Sequence, residues 1–117
     1  MKRWWRFYET PSGRRPVREF LDARSDPDAA AIAAAMKEVA IVGFDGSRHL
    51  RGDVYEVRVD GDRQSYRVLF ASEGARGQVL LALEAFSKKS QRTPRQTIEV
   101  AQRRLADWRS RGRSDPR

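Results

Sequence analysis

The fold is decided by residues 55–70, which read YEVRVDGDRQSYRVLF. Apolar and polar side chains alternate on both sides of the turn at residues 60–62, and a period of two residues is typical of strands with one buried face. This segment therefore predicts a β-hairpin with one apolar face, formed by Tyr55, Val57, Val59, Tyr66, Val68 and Phe70. The opposite face carries Arg58 and Arg67 and is expected to be open to solvent.

Helical spacing of apolar residues appears before this hairpin. Pro16 is placed to open a short helix, and a second helix is expected between an N-cap at Ser25 and a C-terminal cap at Gly43. A short aromatic strand at residues 4–8 precedes both helices. The first half of the chain therefore predicts one strand followed by two helices.

The segments after the hairpin complete the predicted fold. The apolar run at residues 79–85 indicates a strand buried on both faces in the middle of the sheet, and residues 93–96, TPRQ, indicate the start of a last helix. We therefore expect an α+β fold: an N-terminal strand, two helices, a three-stranded antiparallel meander that completes one curved sheet, and a C-terminal helix. Residues 1–109 are expected to form one domain, and residues 110–117 a disordered basic tail.

Composition restricts the chemistry and the partners. The 117 residues include 24 Lys and Arg against 16 Asp and Glu, a net charge of +8, and such a charge predicts a polyanionic partner, although an acidic protein also satisfies it. The chain has no Cys and one His, which excludes disulfides, thiolate catalysis and His clusters. We expect no metal and no cofactor. Without a long apolar run or a signal sequence, a cytoplasmic protein that does not associate with membranes is expected.

Four cations are expected to meet at one edge of the sheet. Arg58 and Arg67 become cross-strand neighbours in the predicted hairpin, and Lys88 and Lys89 follow the adjacent strand. Two facing guanidinium groups repel each other unless an anion lies between them. Pairing of each arginine with a nearby carboxylate at a solvated surface is the alternative interpretation.

Other residues have weaker functional readings. His49 is a general acid or base by type, yet a single histidine in a polar loop is usually an ordinary surface residue. Residues 4–5, Trp-Trp, could stack on bases, but packing in an edge strand is favoured. The arginines of the last helix could extend a phosphate track, but an exposed helix face is often simply charged.

Three segments resemble the RelE/HigB superfamily of type II toxin–antitoxin toxins, and its phage-associated HigB-like branch in particular. They are residues 48–58, RHLRGDVYEVR, residues 66–70, YRVLF, and residues 86–94, FSKKSQRTP. The resemblance implies a small RelE-like α+β fold and a metal-independent endoribonuclease that cuts mRNA on the ribosome, with the ribose 2′-hydroxyl as nucleophile. It also implies two partnerships, one with the ribosome and its mRNA and one with a cognate antitoxin of the helix-turn-helix, HigA-like kind.

The resemblance also implies which residues act. The candidate catalytic residues are Arg58, Arg67, Lys88 and Lys89. The candidate RNA-binding residues are Arg51, Glu56, Phe86, Gln91, Arg92 and Arg95. The general base stays open between the two lysines and Glu56, and crowding by the arginines is expected to lower the pKa of a lysine.

Two other functions remain open at this point. Some relatives in the superfamily, the ParE type, inhibit DNA gyrase by binding it and need no converged cations. A domain that binds RNA or the ribosome without cutting is the third reading.

Overall fold

A computed structural model describes residues 2–88 and 92–114 of the chain, with five strands in one sheet and three helices packed on it. The strands are β1 (Trp4–Phe7), β2 (Ser47–Arg51), β3 (Val54–Asp60), β4 (Ser65–Glu73) and β5 (Val79–Lys88). The helices are α1 (Pro16–Asp22), α2 (Asp26–Val42) and α3 (Arg95–Ser114). The strand order is β1-β5-β4-β3-β2. β1 runs parallel to β5 and the other pairs are antiparallel, so the fold is α+β with a mixed sheet.

The predicted hairpin and the first two helices are confirmed. Strands β3 and β4 pair with Arg58 opposite Arg67, and the apolar residues of both strands join the core below α1 and α2. Helix α2 begins after Ser25, whose side chain accepts a hydrogen bond from the backbone N–H of Asp28 at 3.4 Å. It ends at Gly43, whose φ of 81° is a conformation that glycine adopts without strain.

Strand β2 was not predicted, and the meander consequently has four strands rather than three. Its residues, Ser47–Arg51, are polar except for Leu50 and mostly exposed, because β2 lies at the edge of the sheet. Backbone pairing with β3 holds such a strand, so its sequence carries no apolar alternation.

Helices cover both faces of the sheet, whereas the sequence predicted a simpler layer of helices against it. α1 and α2 pack on the face that carries Val57 and Val68, and α3 packs through Ala101 and Leu105 on the other face. This arrangement explains why the interior strand β5 is apolar on both sides.

The last helix is longer than expected and is tied firmly to the sheet. It continues to Ser114, into the stretch predicted as a disordered tail from residue 110, while residues 115–117 lie outside the described residues. Arg104 donates to the backbone oxygen of Leu83 at 2.7 Å, and Arg109 lies 2.8 Å from Glu73 and 2.9 Å from Asp53. These contacts fix α3 against the sheet.

A shift of register in β5 decides which side chains meet at the site. Leu69 lies opposite Glu84, but the next residue, Phe70, lies opposite Ala82, so one residue of β5 is extra at this point. Beyond the shift, Phe86 is opposite Arg67, and the side chain of Lys88 emerges on the same face. Without this irregularity, Lys88 would point to the opposite face of the sheet.

Within the described part of the chain, none of the helices combines the length and the hydrophobicity needed to cross a bilayer.

Candidate active site

Three neighbouring strands bring their charged residues to one pocket at the end of the sheet. Strand β2 contributes Arg48, β3 contributes Glu56 and Arg58, and β4 contributes Arg67. Two pairings place these side chains on the same face: Arg48 lies opposite Glu56, and Arg58 lies opposite Arg67. The pocket measures about 320 Å³ and is lined by Asp45, Gly46, Ser47, Arg48, Glu56, Arg58 and Arg67.

A buried ion pair forms the floor of the pocket. Arg67 is 3% exposed and Glu56 is 5% exposed, and the Arg67 Nε lies 3.5 Å from the Glu56 Oε1. The hydroxyl of Thr93, also buried, donates a hydrogen bond to the Glu56 Oε2. The expectation that Arg67 faces solvent was therefore wrong, because the side chain is buried with Glu56, and Thr93 just before α3 contacts that carboxylate. Both carboxylate oxygens of Glu56 are engaged, and this holds the guanidinium of Arg67 in place.

The other two arginines of the pocket are open to solvent. The side chain of Arg58 is 56% exposed, and its Nε lies 3.8 Å from a carboxylate oxygen of Asp60. This is the solvated pairing that the sequence offered as an alternative, and such exposed contacts contribute little to stability. Arg48 is exposed on β2 and was missed by the sequence reasoning, although it begins the first of the three segments. Only the unpredicted strand β2 reveals that Arg48 lies opposite Glu56.

Lys88 ends strand β5 beside this pocket and is 6% exposed. Burial is the main reason why its pKa is lowered from the ordinary value of 10.5, because a charged amine loses its hydration there. The charges of Arg67 and Arg48 lower the pKa of Lys88 further, and the carboxylate of Glu56 acts in the opposite direction. The expected direction of the shift is confirmed, although burial rather than crowding is its largest cause.

The remaining residues of the predicted site that the structure describes do not line the pocket. Arg92 is exposed just before Thr93, and Arg95 lies in the first turn of α3 with its Nε 3.2 Å from Glu99. Phe86 packs in the apolar cluster below α3. Arg51 lies at the far end of β2, beside the β2–β3 turn, and does not line the pocket. Two further predicted residues, Lys89 and Gln91, lie outside the described residues.

His49 and the tryptophans lie away from the pocket. The ring of His49 faces Tyr55 at 5.0 Å on the opposite face of the sheet, and its Nε2 is 2.7 Å from the backbone oxygen of Gly52. The indole of Trp5 belongs to the core and donates to the backbone oxygen of Met36 at 2.6 Å.

The charge of the pocket suits an anion. Three guanidinium groups line the pocket together with two carboxylates, Asp45 and Glu56, and a lysine of lowered pKa lies beside them. Arginines bind phosphate through paired hydrogen bonds and stabilise charge that develops on phosphate oxygens. In the part of the chain that the structure describes, no three acidic or histidine side chains come together as metal ligands.

The fold and the pocket thus define a small basic α+β protein with an arginine-lined pocket at one end of its sheet. The family described as phage derived protein Gp49-like (DUF891) matches residues 19–106, and the chain belongs to this family. Two curated relatives, from the CDC 1551 / Oshkosh and ATCC 25618 / H37Rv strains of Mycobacterium tuberculosis, are each named "Probable endoribonuclease HigB1". Each is 33% identical over 108 residues, which covers 89% of this chain and 83% of the relative. The resemblance to HigB-type toxins is thereby confirmed.

Proposed function

We propose that this protein is the toxin of a type II toxin–antitoxin system and that it cuts mRNA on the ribosome as a metal-independent endoribonuclease. The observation that carries the proposal is the convergence of Arg48, Arg58 and Arg67 in one pocket beside Lys88. Family membership and the name of the mycobacterial relatives support the same reading. The site of action is then the cytoplasm, where a cognate antitoxin, of the HigA-like helix-turn-helix kind, holds the toxin inactive.

The arginines act on the phosphate. The 2′-hydroxyl oxygen attacks the adjacent phosphorus, the bond to the departing 5′-oxygen breaks, and a 2′,3′-cyclic phosphate forms. Negative charge grows on the two non-bridging oxygens during this step, and fixed donors stabilise it without reorganisation. Arg67, held by Glu56, supplies the fixed donor, while the exposed Arg58 and Arg48 close around the phosphate from β3 and β2.

Two protons must move in this reaction. One leaves the 2′-hydroxyl, and the other reaches the departing 5′-oxygen. Lys88 is the favoured base because its lowered pKa increases the fraction of neutral amine near neutral pH. Glu56 is less suited, because its two oxygens are occupied by Arg67 and Thr93. The acid that protonates the 5′-oxygen is assigned to one of the cations of residues 89–95 or to a water molecule of the ribosomal site.

The test is inducible expression in bacteria with mapping of new 5′ ends in total mRNA. Growth arrest with cuts in phase with codons is expected for the natural chain. Arg58→Ala removes an exposed side chain and is expected to reduce cutting by about 10²-fold at unchanged abundance. The matched control is Arg76→Ala, which removes an equally charged, exposed arginine outside the pocket. Growth arrest without mRNA cuts would instead favour a toxin that binds gyrase.

Metal independence can be measured separately on the purified protein. The cleavage rate is expected to stay constant when free divalent ions are varied over the range that keeps ribosomes intact, because a cationic pocket repels such ions. A rate that follows the occupancy of a metal site would overturn this part of the proposal.

A further inference from the structure

A second cleft, of about 360 Å³, lies between helix α2 and strand β3 beside the arginine pocket. It is lined by Ala35, Glu38, Val39, Val42, Asp45, Gly46, Val57 and Arg58. Asp45, Gly46 and Arg58 line both cavities, so the two share one wall. The cavities lie on opposite faces of the sheet, because Val57 points toward α2 whereas Arg58 and Arg67 point to the other face. The pairing of β2 with β3 begins at Val57, so a chain of nucleotides with a phosphate at Arg58 reaches this cleft by passing around the open edge of β3.

The second cleft has a different chemical character from the first. Val39 and Val57 form a buried aliphatic floor, and Val42 is 47% exposed at the rim. The carboxylate of Glu38 also lines the cleft, and it takes part in none of the ion pairs that residues 2–88 and 92–114 form. An apolar floor beside a carboxylate that the arginine pocket does not share suits a flat group that carries hydrogen-bond donors on one edge.

We propose that this cleft holds a nucleobase of the RNA whose phosphate occupies the arginine pocket, and that Glu38 selects guanine there. The inference rests on the proposed function, because it takes RNA as the substrate. Proteins that recognise single-stranded RNA contact the faces of unstacked bases and bond to their Watson–Crick edges. The aliphatic floor contacts the face of the base, and Glu38 meets its edge.

Guanine is the base whose edge fits a carboxylate. Its N1–H and its N2 amino group are adjacent donors, and the two oxygens of Glu38 can accept from both. Adenine and cytosine offer one amino donor beside a ring nitrogen that is an acceptor. Uracil offers a single N–H between two carbonyl oxygens, which a carboxylate repels. A good paired contact of this kind discriminates by about 1–3 kcal/mol, or roughly 5- to 150-fold.

Continuity with the arginine pocket favours RNA over a protein segment as the occupant. Arg58 lines both cavities, so a single ligand that passes around the edge of β3 can place a phosphate in the first cavity and a base in the second. Asp45 lies on the shared wall near the phosphate position, whereas Glu38 lines the second cleft alone. For that reason Glu38, and not Asp45, is assigned to the base.

The first test compares cut sites on ribosome-bound mRNA for the natural protein, Glu38→Gln and a control, Asp22→Asn. Asp22 is an exposed carboxylate on α1 that lines neither cavity. Guanine is expected at a fixed position relative to the cut in the natural protein and in the control. Glu38→Gln is expected to lose most of a roughly tenfold preference while total cutting changes by less than about threefold. An unchanged base profile in Glu38→Gln overturns the inference.

A second test measures binding and does not require cleavage. If the protein cuts no RNA, the proposed function is refuted, but this test still decides whether the cleft binds a base. Short fluorescent oligonucleotides with 2′-O-methyl riboses resist cleavage and differ in a single base, and their binding is followed by anisotropy. Tighter binding of the guanine oligonucleotide that is lost in Glu38→Gln supports the cleft as a base site. Equal binding of the four oligonucleotides overturns it. Equal binding together with loss of antitoxin affinity in Val42→Asp would assign the cleft to protein contact instead.

Discussion

Arg67 combines two roles that a single substitution cannot separate. It binds Glu56 in the floor of the pocket, and it is the proposed phosphate ligand. Arg67→Ala leaves a buried carboxylate without its partner, and breaking such a pair typically costs about 3–5 kcal/mol. We therefore expect urea denaturation to show a large loss of stability for Arg67→Ala, and most of the loss to be recovered in Glu56→Gln/Arg67→Ala. A loss no larger than that of the exposed control Arg63→Ala would contradict the buried pair.

The catalytic role of Arg67 is tested by a substitution that keeps the charge. Arg67→Lys preserves a cation beside Glu56 but removes the planar pair of donors that grips phosphate. Cleavage is expected to fall by about 10²–10³-fold, with the stability changed much less. Rates measured on ribosome-bound mRNA at saturating protein check this, and full activity of a folded Arg67→Lys would remove Arg67 from the mechanism.

The proposed role of Lys88 as the base predicts a defined pH dependence of cleavage. The pKa of Lys88 lies below 10.5 in the folded protein, so the fraction of neutral amine increases as the pH rises toward that lowered value. The cleavage rate is therefore expected to rise with pH above neutrality and to level off below pH 10.5. Lys88→Arg keeps the charge but holds its proton across this range, so the rate should be low and nearly independent of pH. An identical pH profile for Lys88→Arg would exclude Lys88 as the base.

The same shift predicts a change of stability with pH. The unfolded chain keeps the Lys88 proton up to about 10.5, whereas the folded protein loses it at a lower pH. Between these two values the unfolded state binds more protons, so the contribution of Lys88 to stability rises with pH. Comparing denaturation of the natural protein with Lys88→Met across this interval measures the contribution.

At the level of elements, Thr93 connects the start of α3 to the site. Its hydroxyl donates to Glu56, which in turn orients Arg67 on β4. Thr93→Val removes this donor and is expected to cost about 1.5–3 kcal/mol, as is usual for a hydrogen bond to a charged group. Cleavage should slow as well, because Arg67 loses its fixed orientation. Thr93→Ser keeps the hydroxyl and is the matched control, and equal cleavage by both variants would contradict the coupling.

Elements with local signals could be predicted from the sequence. Strict alternation of apolar and polar residues predicted the β3–β4 hairpin. The same alternation correctly predicted that Arg58 and Arg67 are cross-strand neighbours. The ends of α2 follow from Ser25 and Gly43, which act within a few residues of the helix. These signals involve only residues that are close in the sequence, and they can therefore be recognised without knowledge of the fold.

Elements that depend on distant partners could not be predicted. Strand β2 exists because β3 offers a free edge, and without it Arg48 has no assigned place in the site. The buried pair of Arg67 and Glu56 receives a hydrogen bond from Thr93, which lies far along the chain from both. The irregular register of β5, which turns Lys88 toward the pocket, likewise arises from pairing and not from composition.

At the scale of the whole molecule, the net charge of +8 and the shallow site predict that the ribosome supplies part of the catalysis. The pocket offers cations for a phosphate, but it does not enclose a nucleotide chain or fix its backbone. Holding a 2′-hydroxyl in line with its own phosphate can be worth about 7–11 kcal/mol when a scaffold supplies that geometry. A ribosomal site that splays the codon is such a scaffold, and exposed cations such as Arg92, Arg95 and Arg103 are available to dock on ribosomal RNA.

We therefore expect purified protein to cut ribosome-bound mRNA far faster than the same RNA free in solution at matched ionic strength. The advantage should shrink steeply as salt is raised, because each cation that meets a phosphate releases counterions on binding. Arg95→Gln/Arg103→Gln is expected to weaken cleavage on the ribosome and to flatten the salt dependence, while cleavage of free RNA changes little. Equal rates on free and ribosome-bound message would identify a free-standing ribonuclease, because the pocket alone would then be aligning the 2′-hydroxyl with its phosphate.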